Sequence, residues 1–295
     1  MAETDPVRLS AGQLELTLNP SVGGSISSFD FADDRGRTGL LRKCNSHEES
    51  VLAMGSFPLV PYVNRIRGGR FTFRGRTVEL APNMAGDPSP LHGQGWLNPW
   101  TVESASEDEA VLGFTHAAGE WPWDYEARQH FKLDSAGLSV RLSCRNLSEE
   151  PTPCGLGQHP YFECGPETRI DTQLSHAWTI DDHVLPVEKV PAEGEFDPND
   201  RLVCGQGLDH GFGGWSGRTR MSDPAWPFDL EMSSPNARFF QLYSPAEGGI
   251  FVAEPVSHAN AALNAPEGEW EELGMRVLEP GEEMHLDMRL GVRIK

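Results

Sequence analysis

The chain has 295 residues, of which 38% are hydrophobic and 23% are charged. This composition supplies enough apolar material for a large core and excludes a wholly disordered chain. Acidic residues outnumber basic residues by 44 to 24, which gives a formal net charge of −20. Because a field of that sign repels phosphodiester backbones and anionic lipid surfaces, we expect neither nucleic acid nor a membrane as a partner.

The first residues and the cysteines predict a cellular compartment. Residues 1–5 lack the basic start and apolar run of a secretion signal, and no apolar stretch is long enough to span a bilayer. We therefore expect a cytoplasmic protein. The five cysteines form no Cys-x-x-Cys pair and show no zinc-type spacing with histidine, so they predict reduced, mostly buried thiols and no metal site.

Short segments with two-residue alternation of apolar side chains recur along the whole chain, which is typical of β-strands. Leu14, Leu16 and Leu18 indicate the first strand, and residues 71–80 indicate a hairpin that turns at Arg74-Gly75-Arg76. A second hairpin is predicted where 125–133 meets 138–146. The other predicted strands cover residues 239–243, 250–253 and 284–292.

Turn-forming residues separate these strands and indicate the fold class. The chain contains 31 glycines and 23 prolines, which break helices and supply unusual backbone angles. No long amphipathic helix, internal repeat or linker is evident. The pattern therefore predicts an all-β protein of antiparallel sheets, packed as a sandwich or a barrel, with residues 1–295 forming a single domain.

Two motifs contain residues that could transfer protons. In GQHPYF, His159 stands directly before a proline, which limits where its imidazole can point, although a structural histidine is an equal alternative. In FVAEP, an apolar run ends on Glu254. A carboxylate at the rim of a core is costly to bury unless it is paired or functional, so Glu254 is a candidate on physical grounds.

Three further motifs contain residues that could bind a polyhydroxylated ligand, and each also has an ordinary structural interpretation. Arg65, in PYVNRI, offers a planar fork of donors or is a surface arginine. His92, in LHGQGW, either faces a pocket or is a structural histidine. Asp209, in LDHGF, binds paired hydroxyls or stabilises its own turn. Trp215 follows it as a ring that could stack on a sugar.

Taken together and in this order, the motifs resemble the aldose 1-epimerase (galactose mutarotase) family over nearly the entire chain. The matching stretches are NRI with Gly69-x-Phe71, LHG, HPYF, LDH and the strand that ends on Glu254. The resemblance implies a large, twisted, antiparallel β-sandwich that holds a sugar in an open cleft. It also implies that no cofactor takes part.

The resemblance implies specific roles in interconverting the α and β anomers of a free aldohexose such as glucose or galactose. His159 would act as general acid, Glu254 as general base and His92 as a supporting hydrogen-bonding group. The expected substrate contacts are Arg65, Asn64, Asp209, Tyr161 and, as a stacking ring, Trp215.

Two stretches differ from the more familiar members of the family. Glu163-Cys164 follows HPYF where the familiar pattern has asparagine and an apolar residue, and Pro255-Val256 follows Glu254 where galactose mutarotases have Thr-Gln. With LEPGE at 278–282, these features resemble a bacterial branch, and no sugar preference carries over from the family.

Two other functions are compatible with the same motifs. A sugar-binding or sugar-sensing protein would retain the cleft without turnover, whereas the presence of both His159 and Glu254 favours an enzyme. A glycoside hydrolase usually requires two carboxylates facing one bond, and the second partner here is a histidine.

Overall fold

The computed structural model describes residues 5–44 and 50–295. Within these ranges the regular structure is β-strand with short 3-10 turns, and α-helix is absent. None of the described helical segments has the length and hydropathy to cross a membrane. The 3-10 turns cover Val51–Ala53, Arg67–Gly69, Gly95–Leu97, Gly194–Phe196, Ala262–Asn264 and Glu267–Glu269.

The strands of the described ranges are numbered in chain order. They are β1 (Val7–Ala11), β2 (Leu14–Asn19), β3 (Ser25–Asp33), β4 (Gly36–Gly39), β5 (Pro58–Leu59), β6 (Arg70–Phe73), β7 (Arg76–Glu79), β8 (Thr101–Ala105), β9 (Glu109–His116), β10 (Tyr125–Asp134), β11 (Gly137–Asn146), β12 (Thr152–Cys154), β13 (Gly157–Gln158), β14 (Tyr161–Glu163), β15 (Arg169–Thr172), β16 (His176–Ile180), β17 (Pro186–Pro191), β18 (Arg201–Leu202), β19 (Leu208–Gly213), β20 (Arg218–Ser222), β21 (Phe228–Ser233), β22 (Phe239–Ser244), β23 (Ile250–Val256), β24 (Arg276–Leu278) and β25 (Glu283–Ile294).

These strands form two large sheets and three small ones. The nine-stranded sheet has the order β18-β15-β20-β21-β25-β11-β10-β9-β8, and the eight-stranded sheet has the order β17-β16-β19-β22-β23-β13-β5 with β14 also paired to β23. A four-stranded sheet, β1 to β4, and the pairs β6-β7 and β12-β24 complete the set. The pairs between these strands are antiparallel, which confirms the predicted fold class.

The predicted hairpins are present. Strands β10 and β11 pair from Tyr125 opposite Asn146 to Asp134 opposite Gly137, and β6 pairs with β7 across the predicted turn. The alternating side chains of β11, such as Leu138 and Leu142, are fully buried. Two-residue alternation therefore identified both the strands and the face that packs into the core.

The eight-stranded sheet has two faces with different roles. Phe240 and Ala253 point into the main apolar core, which they share with residues of the nine-stranded and four-stranded sheets. Since side chains alternate along a strand, their neighbours Gln241 and Glu254 lie on the other face, together with Val252. We call this second face the site face.

A disulfide joins Cys164, directly after β14, to Cys204, which precedes β19. The prediction of reduced thiols is therefore wrong for this pair, because sequence spacing cannot show that two segments 40 residues apart meet. Cys144 and Cys154 are buried thiols, as predicted. The disulfide ties the segment after His159 to the segment before Asp209.

We expect loss of the disulfide to destabilise the protein. A crosslink that closes a loop of 40 residues removes chain entropy from the unfolded state, worth about 4 kcal/mol in the loop-entropy model. Cys164→Ser, Cys204→Ser and the double variant should lower the free energy of unfolding equally, because each removes the same bond. Urea denaturation without reductant measures this, and a double variant that loses the sum of both single effects would contradict the crosslink.

Candidate active site

The site is built around a contact between His159 and Glu254, whose Nε2 and Oε1 atoms lie 3.3 Å apart. Tyr161 pairs with Val252 across β14 and β23. Because antiparallel strands run in opposite directions, the residue two before Tyr161 meets the residue two after Val252. The side chain of His159 is 11% exposed and that of Glu254 is 4% exposed, so His159 is the more accessible of the two.

Aromatic rings hold the His159 imidazole in place. The ring lies 4.5 Å from Phe57 at an interplanar angle of 23° and 4.7 Å from Tyr161 at 28°. The guanidinium of Arg42 lies 3.7 Å from the centre of the Tyr161 ring. It donates hydrogen bonds to the carbonyls of Leu52 (2.5 Å) and Met54 (2.6 Å), so this cation is fixed against the Tyr161 ring on which the imidazole stacks.

Burial changes the protonation of the pair. Desolvation, and to a smaller extent the charge of Arg42, lowers the pKa of His159 to about 3. Desolvation and the nearby charge of Asp209 raise the pKa of Glu254 well above its usual range. Both directions favour the neutral imidazole beside the protonated carboxyl. The titratable proton of the pair is then on Glu254, so in the substrate-free site the carboxyl is the donor and the imidazole is the acceptor.

His92 is fixed in one tautomer. Its Nδ1 accepts a hydrogen bond from the backbone N–H of Asn64 (3.1 Å), while its own backbone N–H donates to the Asn64 carbonyl (3.0 Å). Burial lowers the pKa of His92, with further contributions from His159 and Arg65, so the ring is neutral. The proton of the neutral ring is therefore on Nε2. The ring meets that of His159 edge-on at 5.4 Å.

Hydrogen bonds hold the side chains of Arg65 and Asn64 in fixed positions beside each other. The Nε of Arg65 lies 2.8 Å from the Asp87 carboxylate, and its Nη1 donates to the Asn64 side-chain oxygen at 3.0 Å. Its backbone N–H donates to Asn260. The side chains of Arg65 and Asp87 are 10% and 9% exposed, so this ion pair is largely shielded from water. The structure thus excludes the surface-arginine interpretation.

Asp209 lies on the site face, two strands from Glu254. Its backbone pairs with Tyr243, and its carboxylate accepts a hydrogen bond from Gln241 Nε2 at 2.7 Å. Gln241 in turn pairs with Glu254 across β22 and β23. Burial raises the pKa of Asp209, while Arg65 and the Gln241 hydrogen bond oppose that shift. Gln241 therefore binds the Asp209 carboxylate with its side chain and stands opposite Glu254 on the neighbouring strand.

The structure does not bring Trp215 to this site. Its indole Nε1 donates to Thr172 Oγ1 on β15 at 2.9 Å, and its ring packs 5.1 Å from Phe240 in the main core. The side of the sheet that Phe240 occupies is opposite to the site face. This placement corrects the expectation that Trp215 stacks on a sugar.

Comparison with known proteins agrees with this geometry. The model of the family described as aldose 1-epimerase matches residues 6–291. The chain belongs to the aldose 1-epimerase family. Members of this family are isomerases of the mutarotase type, and the match extends over both large sheets and the site.

Relatives of the chain include proteins that match it over almost their whole length. YphB of Escherichia coli K12, an uncharacterized protein, is 36% identical over an alignment of 295 positions that covers 96% of this chain and 97% of YphB. A solved structure from E. coli K12, described provisionally as an aldose 1-epimerase, has a TM-score of 0.88 at 32% identity and covers 99% of both chains.

More distant relatives share less with the chain. The aldose 1-epimerase of E. coli K12 is 25% identical over 140 residues, which cover 45% of this chain and 39% of that enzyme. A galactose mutarotase-like protein from Clostridium acetobutylicum has a TM-score of 0.83 at 19% identity, covering 98% of this chain and 95% of its own, and shows the shared fold alone.

Sequence reasoning missed several residues that shape the site. Gln241 stands in a predicted strand, and its alternation with two buried neighbours could have placed it on the opposite face. Asp87 and Arg42 lie outside the recognised motifs, so only the folded chain shows that they neighbour Arg65 and Tyr161.

The lowered pKa of His159 can be measured directly. We expect its imidazole to stay neutral as the pH falls through 6.5, the approximate pKa of an unperturbed histidine, and to become protonated only near pH 3. NMR titration of the imidazole signals tests this, with the His159→Asn variant assigning the resonance. Titration of that resonance near 6.5 would show that the charged imidazole is stable in the substrate-free protein.

Proposed function

We propose that this protein is an aldose 1-epimerase that interconverts the α and β anomers of a free aldohexose such as glucose or galactose. The contact between His159 and Glu254 carries the proposal, because it places one proton donor and one proton acceptor side by side. Polar groups suited to hydroxyls surround the pair.

Mutarotation requires two coupled proton transfers. The ring oxygen gains a proton while the anomeric hydroxyl loses one, the bond between the anomeric carbon and the ring oxygen breaks, and a carbonyl forms. The carbonyl rotates and the ring closes again with the transfers reversed. A single acid and a single base suffice, and each is worth roughly 10²- to 10⁴-fold in rate.

We assign His159 as the acid toward the ring oxygen and Glu254 as the base toward the anomeric hydroxyl. Ring opening by this route converts a charged imidazolium and carboxylate into a neutral imidazole and carboxyl. Burial lowers the pKa of His159 and raises that of Glu254, which favours the neutral forms. In the substrate-free site the titratable proton is therefore on Glu254, so the assigned roles require its transfer to His159 across the 3.3 Å contact before the ring opens.

The remaining groups would hold the sugar. We propose that His92 donates from Nε2 to a substrate oxygen, since its Nδ1 is already occupied by the Asn64 backbone. Arg65, Asn64, Asp209 and Tyr161 remain the proposed contacts for hydroxyl groups. The chemistry requires no cofactor. We also propose that the whole chain acts as one domain in the cytoplasm, without nucleic acid or a membrane as partner.

Polarimetry tests the activity and the two assigned roles. Wild-type protein should speed the relaxation of freshly dissolved α-D-glucose or α-D-galactose, whereas a protein that only binds sugar would leave the background rate. Glu254→Gln and His159→Asn should each lower kcat by roughly 10²-fold or more, because each removes one proton-transfer group.

The chain provides a matched control in a second histidine–glutamate pair. His130 and Glu109 are in contact on β10 and β9, and both side chains are 42% exposed. His130→Asn and Glu109→Gln should leave kcat unchanged. Turnover at the wild-type rate in Glu254→Gln would refute the assignment of the base.

Asp209→Asn should mainly raise KM, by about tenfold if one charge-assisted hydrogen bond to a hydroxyl is weakened. The same assay over a range of sugar concentrations measures this. Asp171→Asn, on β15 of the nine-stranded sheet, is the matched control. A reduced kcat with unchanged KM would instead place Asp209 in the transition state only.

A further inference from the structure

Trp178 is a partly buried tryptophan at the far side of the site face. It lies on β16, which pairs with β19, and it packs against the apolar cluster that includes Phe57 and Tyr161 beside the catalytic pair. Its ring is tilted against Phe239 at 6.1 Å and meets the ring of His176 edge-on at 4.8 Å. These contacts fix the indole on one edge while part of its surface remains exposed.

Gly211 has no side chain, so the sheet surface between the indole and the polar groups of the site is not covered at this position. Gly211 pairs with Gln241 across β19 and β22. A Cβ atom at Gly211 would lie 3.9 Å from Trp178 Cε3 and 3.2 Å from Gln241 Oε1. The indole and the carboxamide therefore border the same gap on the site face, and a side chain at this position would reduce that gap.

The residues along this face form a continuous path. Glu254 stands opposite Gln241 on the neighbouring strand, and the Gln241 side chain binds Asp209. Beyond Gln241 on the same face lie Gly211 and then Trp178. The spacing of neighbouring strands is about 4.8 Å, so the indole edge lies on the order of 10 Å from the β23 backbone. A hexose whose anomeric carbon is at Glu254 approaches the indole when its remaining carbons extend along this path.

We propose that Trp178 determines substrate specificity by stacking its indole on the C–H face of the pyranose, at the end remote from the anomeric carbon. This rests on the proposed function, since it takes the anomeric carbon to lie between His159 and Glu254. The negative face of an aromatic ring attracts the weakly positive hydrogens of C–H groups. Pyranoses expose different C–H faces according to which hydroxyls are axial, so the ring discriminates between aldohexoses.

The experiment measures binding of methyl β-D-galactopyranoside and methyl β-D-glucopyranoside by isothermal titration calorimetry. These glycosides have no free anomeric hydroxyl and cannot mutarotate, so their binding is independent of catalysis. Trp178→Leu retains an apolar side chain against Phe239 but removes the aromatic face, and it should raise Kd about tenfold for the better glycoside. Trp178→Phe retains a ring and should stay within about threefold of wild type.

Trp226 provides the matched control. It is also partly buried, and it packs against Phe228 at 5.7 Å and 32°, much as Trp178 packs against Phe239, but it lies next to β21 of the nine-stranded sheet. Trp226→Leu should leave Kd unchanged. Saturating glycoside should also change the tryptophan fluorescence of the wild type and of Trp226→Leu, and this change should be lost in Trp178→Phe.

The outcomes separate the stacking proposal from the proposed activity. If the wild type accelerates mutarotation and Trp178→Leu binds both glycosides as wild type does, the stacking role is wrong and the enzyme assignment stands. If the wild type does not accelerate mutarotation but Trp178→Leu loses glycoside binding, the indole platform is supported and the activity is wrong. Equal losses in Trp178→Leu and Trp226→Leu would overturn the stacking role.

Discussion

Tyr161 pairs with Val252 across β14 and β23, and this register decides where the imidazole of His159 and the carboxylate of Glu254 meet. A slip of one residue would turn Glu254 into the main core, because side chains alternate between the two faces of a strand. The aromatic rings around His159 fix the imidazole on one side of the contact. The strand register therefore has a chemical consequence as well as a structural one.

The low exposure of this pair is the second constraint. Burial makes the neutral forms of both groups favourable, so one proton is shared between an imidazole and a carboxyl that lie in contact. Solvent-exposed groups would titrate independently, and at neutral pH a free carboxylate would have lost its proton. The fold thus brings together, in one place, the proton donor and the proton acceptor on which the proposed reaction depends. Around the pair, the Asn64 backbone sets the tautomer of His92, and Asp87 holds Arg65.

Residues of the site face show which parts of the site can be inferred without coordinates. His159 and Glu254 stood out by motif and by position at the end of an apolar run, and the structure brings them together. Trp215 was proposed as a stacking ring because it follows the LDHGF motif, yet it lies in the main core. Trp178 was not recognised, because nothing in its local sequence distinguishes an indole that borders a cleft from one that packs inside.

The sequence by itself determined the local strand pattern and the order of the motifs along the chain. Alternation predicted the hairpin of β10 and β11 and the all-β class, since these depend on neighbours along the chain, and the motif order indicated the family. The tertiary structure alone decided the pairing of Cys164 with Cys204, the ion pair of Arg65 and the protonation of His159. Those properties depend on contacts between distant segments and on exclusion of water, and neither is encoded in the spacing of residues along one strand.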